Sequence, residues 1–334
     1  MLKAVSSEVL PERLADHRAV QAWRQIGPED FQPESIEILK LKRKTAVYRL
    51  SQADSNGSTI IAKRCWAKTA LVEWLVYEEF LASLSLPALR CYGLMAEPES
   101  EFCWLFLEDA GKQGYSPASG EHRALAGRWL GAVHRAPLPA KLQGLLPDRG
   151  PEHYLQVLRS TRASLRERAD NPVLLADDVA LLRTVAEQCD RIEEHWEEVE
   201  SCCERWPRVL VHGDFVVKNL RLRLGEEGPA LLVYDWEMAG WGVPATDVAQ
   251  FLGRSVSPDL EAYGSVLRQE VPALEVRDIQ QLAGYGKLLR VVDKIFWETA
   301  TMQGETYEYL LKPILTIGEY EPQMAVALRA LDWS

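Results

Sequence analysis

A chain of 334 residues with a formal net charge of −11, 47% hydrophobic and 26% charged, has room for two lobes with a core each. The acidic balance argues against nucleic acid, whose binding leans on clustered Lys and Arg, and the longest apolar runs are too short to span a bilayer. Six scattered cysteines (Cys65, Cys91, Cys103, Cys189, Cys202, Cys203) form no metal-type pair and suit a reducing cytoplasm, and "MLKAVSSEVLPERLADH" lacks a secretory pattern.

Pro11 to Gln25 reads as a helix with Pro11 in its first turn, so residues 1–30 form an N-terminal helical extension. From Ile36 the texture becomes that of strands: "IEILKLK", "AVYRL", a hairpin connection carrying Asn56-Gly57, then "TIIAKRC". Leu71 to Leu84 has helical spacing, and "PALRCYGLMAEPES" and "EFCWLFLED" are two more strands. Residues 31–108 therefore read as a small antiparallel-sheet lobe with one helix, and 109–334 as a larger, mainly helical lobe. The class is α+β. In the larger lobe "EHRALAGRWLGAVHRAP" is amphipathic, "APLPAKLQGLLPDRGPEHY" is a loop, and Tyr154 to Glu204 is helical. The acidic run from Cys189 to Trp206 reads as a solvated helix face, with Cys202-Cys203 as packing thiols. "RVLVHGD" and "LLVYDWE" are short strands with "NLRLRL" pairing between them, and helices follow from Thr246.

Four polar residues sit at the ends of apolar strands, which are rigid places to hold a side chain. They are Lys63 in "IIAKR", Asp214 and Asn219 in "HGDFVVKN", and Asp235 in "LLVYDWE". A carboxylate and an amide oxygen are hard ligands for Mg²⁺, which keeps waters and adds ligand phosphates. Another carboxylate can accept a hydroxyl proton, and a strand lysine can hold phosphates as a point charge. Taken singly, Asp214 is also a turn residue and Lys63 an exposed strand lysine; together they are the parts of phosphoryl transfer.

"HGDFVVKN" followed by "VYDWEMAGWGVPATDVAQF" resembles the family of aminoglycoside phosphotransferases and choline kinases, relatives of protein kinases. "IIAKR", "WLFLED" and "LAGRWLGAVHR" extend the resemblance over most of the chain, and it implies a two-lobed protein-kinase-like fold. The resemblance assigns Asp214 as catalytic base, Asn219 and Asp235 as Mg²⁺ ligands, and Lys63 to the α- and β-phosphates of ATP or GTP. His212 would orient the catalytic loop and Asp247 would brace it. A glutamate on the following helix would pair with Lys63; of Glu73, Glu78 and Glu79, Glu78 is favoured because Leu71, Leu75 and Leu81 would make the neighbouring core stripe. Thr45 and Glu108 complete the expected nucleotide contacts.

Two departures stand out: the turn "LKRKTAVYRL" has no glycine to bring backbone N–H groups to phosphates, and Lys218 precedes the metal asparagine, where the family commonly has a small residue. Lys218 is able either to face the transferring phosphoryl group or to point into solvent. Only eleven residues separate Asp235 from Asp247, too few for a peptide-docking platform, so the acceptor should be a small hydroxylated molecule. Trp236, Glu237, Trp241, Trp297 and Glu298 are its candidate wall, together with Lys218. A cationic acceptor suits acidic, tryptophan-lined walls, while a neutral sugar or macrolide stays open. The other reading is a catalytically weak nucleotide-binding module acting through a partner, which the glycine-free turn and Lys218 favour.

Overall fold

The computed structural model describes residues 13–52, 59–225, 228–250, 255–304 and 306–333; the expected helix start at Pro11 and the Asn56-Gly57 turn lie outside them. In chain order, helix α1 (Arg18–Trp23) precedes strands β1 (Ser35–Lys42), β2 (Thr45–Ser51) and β3 (Thr59–Trp66), helix α2 (Ala67–Leu75), and strands β4 (Cys91–Ala96) and β5 (Phe102–Glu108). Next come α3 (Gly120–Arg135), α4 (Ala140–Gln143), β6 (Asp148–Arg149), α5 (Pro151–Ala169), α6 (Ala176–Glu194) and α7 (Trp196–Glu204). Strands β7 (Val209–Val211), β8 (Leu220–Gly225), β9 (Gly228–Val233) and β10 (Gly240–Gly242) follow, then α8 (Leu260–Leu267), α9 (Val276–Thr301) and α10 (Tyr307–Ala330).

These elements form two compact units, and the units do not follow a single cut at residue 108. The first takes the chain up to Tyr115, Leu138–Leu146 and Asn219–Ala239; the second takes Ser116–Pro137, Pro147–Lys218 and the chain from Gly240. The reason is the β8–β9 hairpin. Its Leu222 N–H donates to the Gln113 carbonyl (2.9 Å), and Arg223 pairs with Glu108 (2.6 Å), so the hairpin belongs with the chain before residue 116.

The first unit is built on an antiparallel sheet in the order β1-β2-β3-β5-β4. Strand alternation sorts its two faces. Ile60 and Ala62 of β3 join Ile36, Leu50, Trp104 and Phe106 under α1, which contributes Ala19, Val20 and Trp23. Each large apolar side chain buried there contributes about 1.5–3 kcal/mol. The other face of β3 carries Lys63 and Cys65, the latter packed with Ala70 of α2 and Cys103. The helix expected over 71–84 begins four residues earlier, widens to a π-helical turn at Val76–Phe80 and tightens to a 3-10 turn at Leu81–Ser83.

In the second unit α3 packs on α8, α5 packs on α6 and α9, and α9 packs on α10. Its small sheet has the order β6-β10-β7, with β10 antiparallel to β7 and parallel to β6. The expected pairing of "NLRLRL" between the two motif strands is therefore corrected: it pairs as β8 with β9 in a two-stranded sheet, with a single bridge from Arg221 to Gly114, and β7 takes β10 as its neighbour. The stretch expected to be pure loop also holds α4 and β6. In the acidic segment, Trp196, Val199, Cys202 and Cys203 are buried while Glu197, Glu198, Glu200 and Glu204 are exposed, an amphipathic helix with its carboxylates in water. None of the six cysteines is in a disulfide, and no helix among the described residues is long and apolar enough to cross a membrane.

Candidate active site

In the first unit Lys63 is the centre of an ion cluster. Antiparallel pairing with Leu105 and Val47 fixes its place in mid-sheet, where its side chain is only 7% exposed. Its Nζ donates to Glu73 Oε2 at 2.7 Å and to Asp235 Oδ1, and lies 3.4 Å from Glu237 Oε2. Burial works against the ammonium, yet the carboxylates of Glu73, Asp235 and Glu237 outweigh it and hold the Lys63 pKa well above the usual lysine value.

Glu73, not Glu78, is the partner. Leu71 faces solvent, and the buried stripe of this helix runs through Ala70, Val72, Glu73, Leu75, Val76, Tyr77 and Phe80. Glu73 lies on the same face as Tyr77 and Phe80, four and seven residues on, whereas Glu78 is exposed and Glu79 pairs with Lys141. Taking Leu71 as core put the helix in the wrong phase.

Asn219 and Asp235 sit at one end of the β8–β9 hairpin. The Tyr234 N–H donates to the Asn219 carbonyl (3.1 Å), and Leu220 pairs with Val233. Asn219 is buried, and Asp235 adopts a left-handed backbone (φ 67°, ψ 57°), a strained conformation that aspartate tolerates better than most residues. Burial first, and then the neighbouring Asp235, push the Glu73 carboxyl up against the Lys63 ammonium. The Asn219 amide and the Asp235 carboxylate are hard oxygen donors of the kind a divalent cation takes. Among the described residues no group of three or more His, Cys, Asp or Glu is disposed to hold a metal by itself, so an ion here needs phosphate and water oxygens as well.

Other expected nucleotide contacts fare differently. Thr45 pairs with Cys65 and so shares the sheet face of Lys63, while the residues before it form a tight turn in which Lys44 lies 4.3 Å over the Trp66 ring. Glu108 pairs with Ile60, on the opposite face, and its carboxylate accepts from Arg223 (2.6 Å) and the Arg90 N–H (3.0 Å). Its side chain is thereby removed from the Lys63 face. Trp236 is completely buried, which corrects its reading as a wall residue: it is a core side chain of the 3-10 turn Trp236–Met238.

In the second unit the buried strand β7 leads straight into His212-Gly213-Asp214. Gly213 has φ 74°, a left-handed backbone that favours glycine and turns the chain sharply. The Asp247 carboxylate accepts the N–H groups of His212 (2.6 Å) and Gly213 (3.1 Å). Burial opposes its ionisation, but bonds from His134 and the His212 backbone keep its pKa below the ordinary value. His134 Nε2 lies 3.4 Å from Asp247, and His134 Nδ1 is 3.0 Å from the Tyr263 hydroxyl. The buried His212 accepts the Asp214 N–H on Nδ1 (3.2 Å).

Asp214 itself faces three cations. Lys294 Nζ is 2.8 Å and Arg290 Nη2 3.4 Å from Oδ1, and Lys218 Nζ is 3.1 Å from Oδ2. Lys218 thus turns toward the carboxylate. Burial would raise the Asp214 pKa, but Lys294, Arg290 and Lys218 outweigh it and hold the carboxyl well below the usual range. Arg290 also donates to the Gly213 carbonyl (3.3 Å).

Arg290 and Lys294 escaped the sequence reading, although a basic pair at four-residue spacing inside "LLRVVDKIF" was a visible signal. They are aimed by Gly286, one turn earlier on the same helix stripe, where a Cβ would come within 1.8 Å of the Ala245 carbonyl oxygen. Only glycine lets α9 lie this close to the 244–246 turn. Trp297 continues the stripe, 48% exposed, whereas Trp241 on β10 is half-buried with the Arg208 guanidinium 5.7 Å from its ring.

The comparisons with known proteins agree with this picture. No curated protein sequence matches the chain. Among solved structures, the GDP complex of wild-type aminoglycoside 2'-phosphotransferase-IIIa matches with a TM-score of 0.62 at 9% identity, over 90% of this chain and 97% of that one. A Plasmodium vivax ethanolamine kinase matches at 0.61 and 12% identity, over 92% and 86%. Spectinomycin phosphotransferase in complex with ADP and spectinomycin matches at 0.59 and 12%, over 89% and 94%. At these identities the likeness is one of fold, the kinase-like α+β architecture. The model of the phosphotransferase enzyme family matches residues 59–285, from the Lys63 strand into the helix that carries Arg290, and the chain therefore belongs to that family.

Proposed function

We propose that the chain transfers the γ-phosphate of ATP or GTP to a hydroxyl of a small acceptor. The observation that carries this reading is the Asp214 loop: an ionised carboxylate, braced by Asp247 through two backbone N–H groups, at the motif position where such a transfer needs an acceptor for the hydroxyl proton. The relatives in fold include enzymes named for amino alcohols and aminoglycosides, and solved complexes with GDP and with ADP, which supports nucleotide use and a small acceptor.

In this reading Asp214 accepts a hydrogen bond from the acceptor hydroxyl and aims its oxygen at the γ-phosphorus. As the new O–P bond forms and the bond to the β-phosphate oxygen breaks, the proton passes to an Asp214 oxygen and the nucleoside diphosphate leaves. A carboxyl held below its usual range is a weak base, so the proton moves late, as a loose transition state allows. Asn219 and Asp235 would hold Mg²⁺, which neutralises charge on the phosphate oxygens when bound. Lys63, tethered by Glu73, would bind phosphate oxygens, and Lys218 would balance charge beside Asp214. A cytoplasmic location is part of the reading, in keeping with six unpaired thiols.

The test is product formation from a panel of sugars, amino sugars, amino alcohols and hydroxy acids with ATP or GTP. Transfer should require Mg²⁺ and should vanish in Asp214→Asn, while nucleotide still raises the melting temperature of that variant. Mg²⁺-independent transfer, or an active Asp214→Asn protein, would sink the assignment.

A further inference from the structure

The charges around Asp214 bear on the acceptor itself. One carboxylate balances one positive charge, yet Lys218, Arg290 and Lys294 all converge on Asp214. Asp293, beside Lys294 in the chain, brings a second carboxylate, and Arg149 brings a fourth cation to the same neighbourhood. One turn further along α9, Glu298 faces Lys294 and Lys312. Among these described residues, Lys218, Arg290, Lys294, Arg149 and Lys312 outnumber the carboxylates of Asp214, Asp293 and Glu298.

Proton acceptance gains nothing from that arrangement, since each cation makes Asp214 a poorer base. The surplus serves a group that is itself negative. Arg290 is 6% exposed and partly committed to the Gly213 carbonyl, but Lys294 is 31% exposed and an ammonium has three donors to place. Trp297, one turn beyond on the same stripe, offers an exposed apolar face beside it.

We infer that the acceptor carries an oxyanion, a carboxylate or a phosphate, next to the hydroxyl that is phosphorylated, and that Lys294 with Arg290 holds that oxyanion beside Asp214. This rests on the kinase reading above and sharpens it: the site selects hydroxy acids or phosphorylated polyols over amino sugars and amino alcohols. An ammonium brought to the same place meets like charges, and a neutral polyol gives Lys294 no second anionic partner besides Asp214. The sequence-based leaning toward a cationic acceptor rested on Glu237, Glu298 and the acidic middle helices together with Trp241 and Trp297, and the charges facing Asp214 point the other way.

The experiment uses the full-length protein with Mg²⁺-ATP and Mg²⁺-GTP and acceptors matched in all but charge. The three-carbon set is glycerate, glycerol 3-phosphate, glycerol and 3-amino-1,2-propanediol; the six-carbon set is gluconate, glucose 6-phosphate, glucose and glucosamine. Within a set, kcat/KM for an anionic member should exceed that for the neutral and amine members at least tenfold, with the acid and phosphate arms telling carboxylate from phosphate. Lys294→Gln should lower kcat/KM for the anionic acceptor roughly 10- to 100-fold, mainly through its KM, with nucleotide KM unchanged. Lys294→Arg should restore most of the loss. Preference for a neutral or amine acceptor overturns the inference and leaves the kinase reading standing. So does a Lys294→Gln effect equal across charge classes, or one on nucleotide KM alone. Absence of transfer to every acceptor overturns the kinase reading itself, and this inference with it.

Discussion

Replacing Asp214 by Asn should destabilise the protein at neutral pH, in contrast to the usual gain when a strained catalytic carboxylate is removed. Three cations lose their counter-charge at once, and they do not weigh equally. Lys218 is 59% exposed and its pairing contributes about 0–1 kcal/mol at most. Lys294, 31% exposed at 2.8 Å, adds a charge-assisted bond in the range of about 1–2 kcal/mol after screening. Arg290 is 6% exposed and is left facing a neutral amide, the situation in which breaking a buried pair costs most. Taken at about 3 kcal/mol, the low end for a buried pair because its contact is long, Arg290 brings the total to about 4–6 kcal/mol, a fall of about 6–9 °C in Tm if the whole chain melts together.

The pH dependence supplies the sharper check. A carboxyl whose folded pKa is depressed contributes stability that is complete above its unfolded value of about 3.9 and is lost as pH falls through the folded one. Melting curves of wild type and Asp214→Asn should therefore differ most at pH 6–7 and converge as pH drops below about 4. A variant as stable as wild type at pH 7, or a gap that does not narrow in acid, would refute the account of three cations anchored on one carboxylate.

Two further outcomes separate positioning from packing. Glu73→Gln should reduce kcat/KM for nucleotide by at least about tenfold because Lys63 loses its buried tether, whereas Glu78→Gln, on the solvent face, should stay within about twofold; nucleotide-dependence kinetics of the pair check this. Gly286→Ala places a methyl 1.8 Å from a backbone oxygen that has no rotamer to yield, so both melting temperature and turnover should fall, with an overpacking cost of about 1–3 kcal/mol; a wild-type-like alanine variant would disprove the close contact.

Asp214, Asn219 and Asp235 were legible in the sequence because each lies just beside a short apolar strand, whereas Lys63, expected at a strand end, lies inside β3. Periodicity located the Lys63 strand and β7, and the apolar run Val209-Leu210-Val211 left no doubt that His212 to Asp214 leaves a buried strand. Helix phase was harder to read. Leu71 looks like core and is solvent-exposed, and a polar Glu73 occupies the buried stripe, so hydrophobicity alone misassigns the partner of Lys63. Strand pairing was harder still, since three-residue strands such as β7 and β10 carry too little alternation to name their neighbours. Arg290 and Lys294 lie 76 and 80 residues beyond Asp214, and no local pattern states that α9 returns to it. What brings it there is a single glycine meeting the 244–246 turn.

The division of the chain into units has a consequence for how the molecule is made. The first unit opens the sequence, but its β8–β9 hairpin, with Asn219 and Asp235, is supplied only after more than a hundred intervening residues, many of which belong to the other unit. During synthesis the N-terminal sheet must wait, with the Lys63 ammonium and Glu73 lacking Asp235, until the ribosome has released residues beyond 239. Pairings over such separations close slowly. A fragment ending near residue 115 is therefore an incomplete unit, one to be rescued by adding the 219–239 hairpin and not by shifting the cut point. The same discontinuity means that exchanging N-terminal halves between relatives carries Lys63 across without its ion-pair partner Asp235.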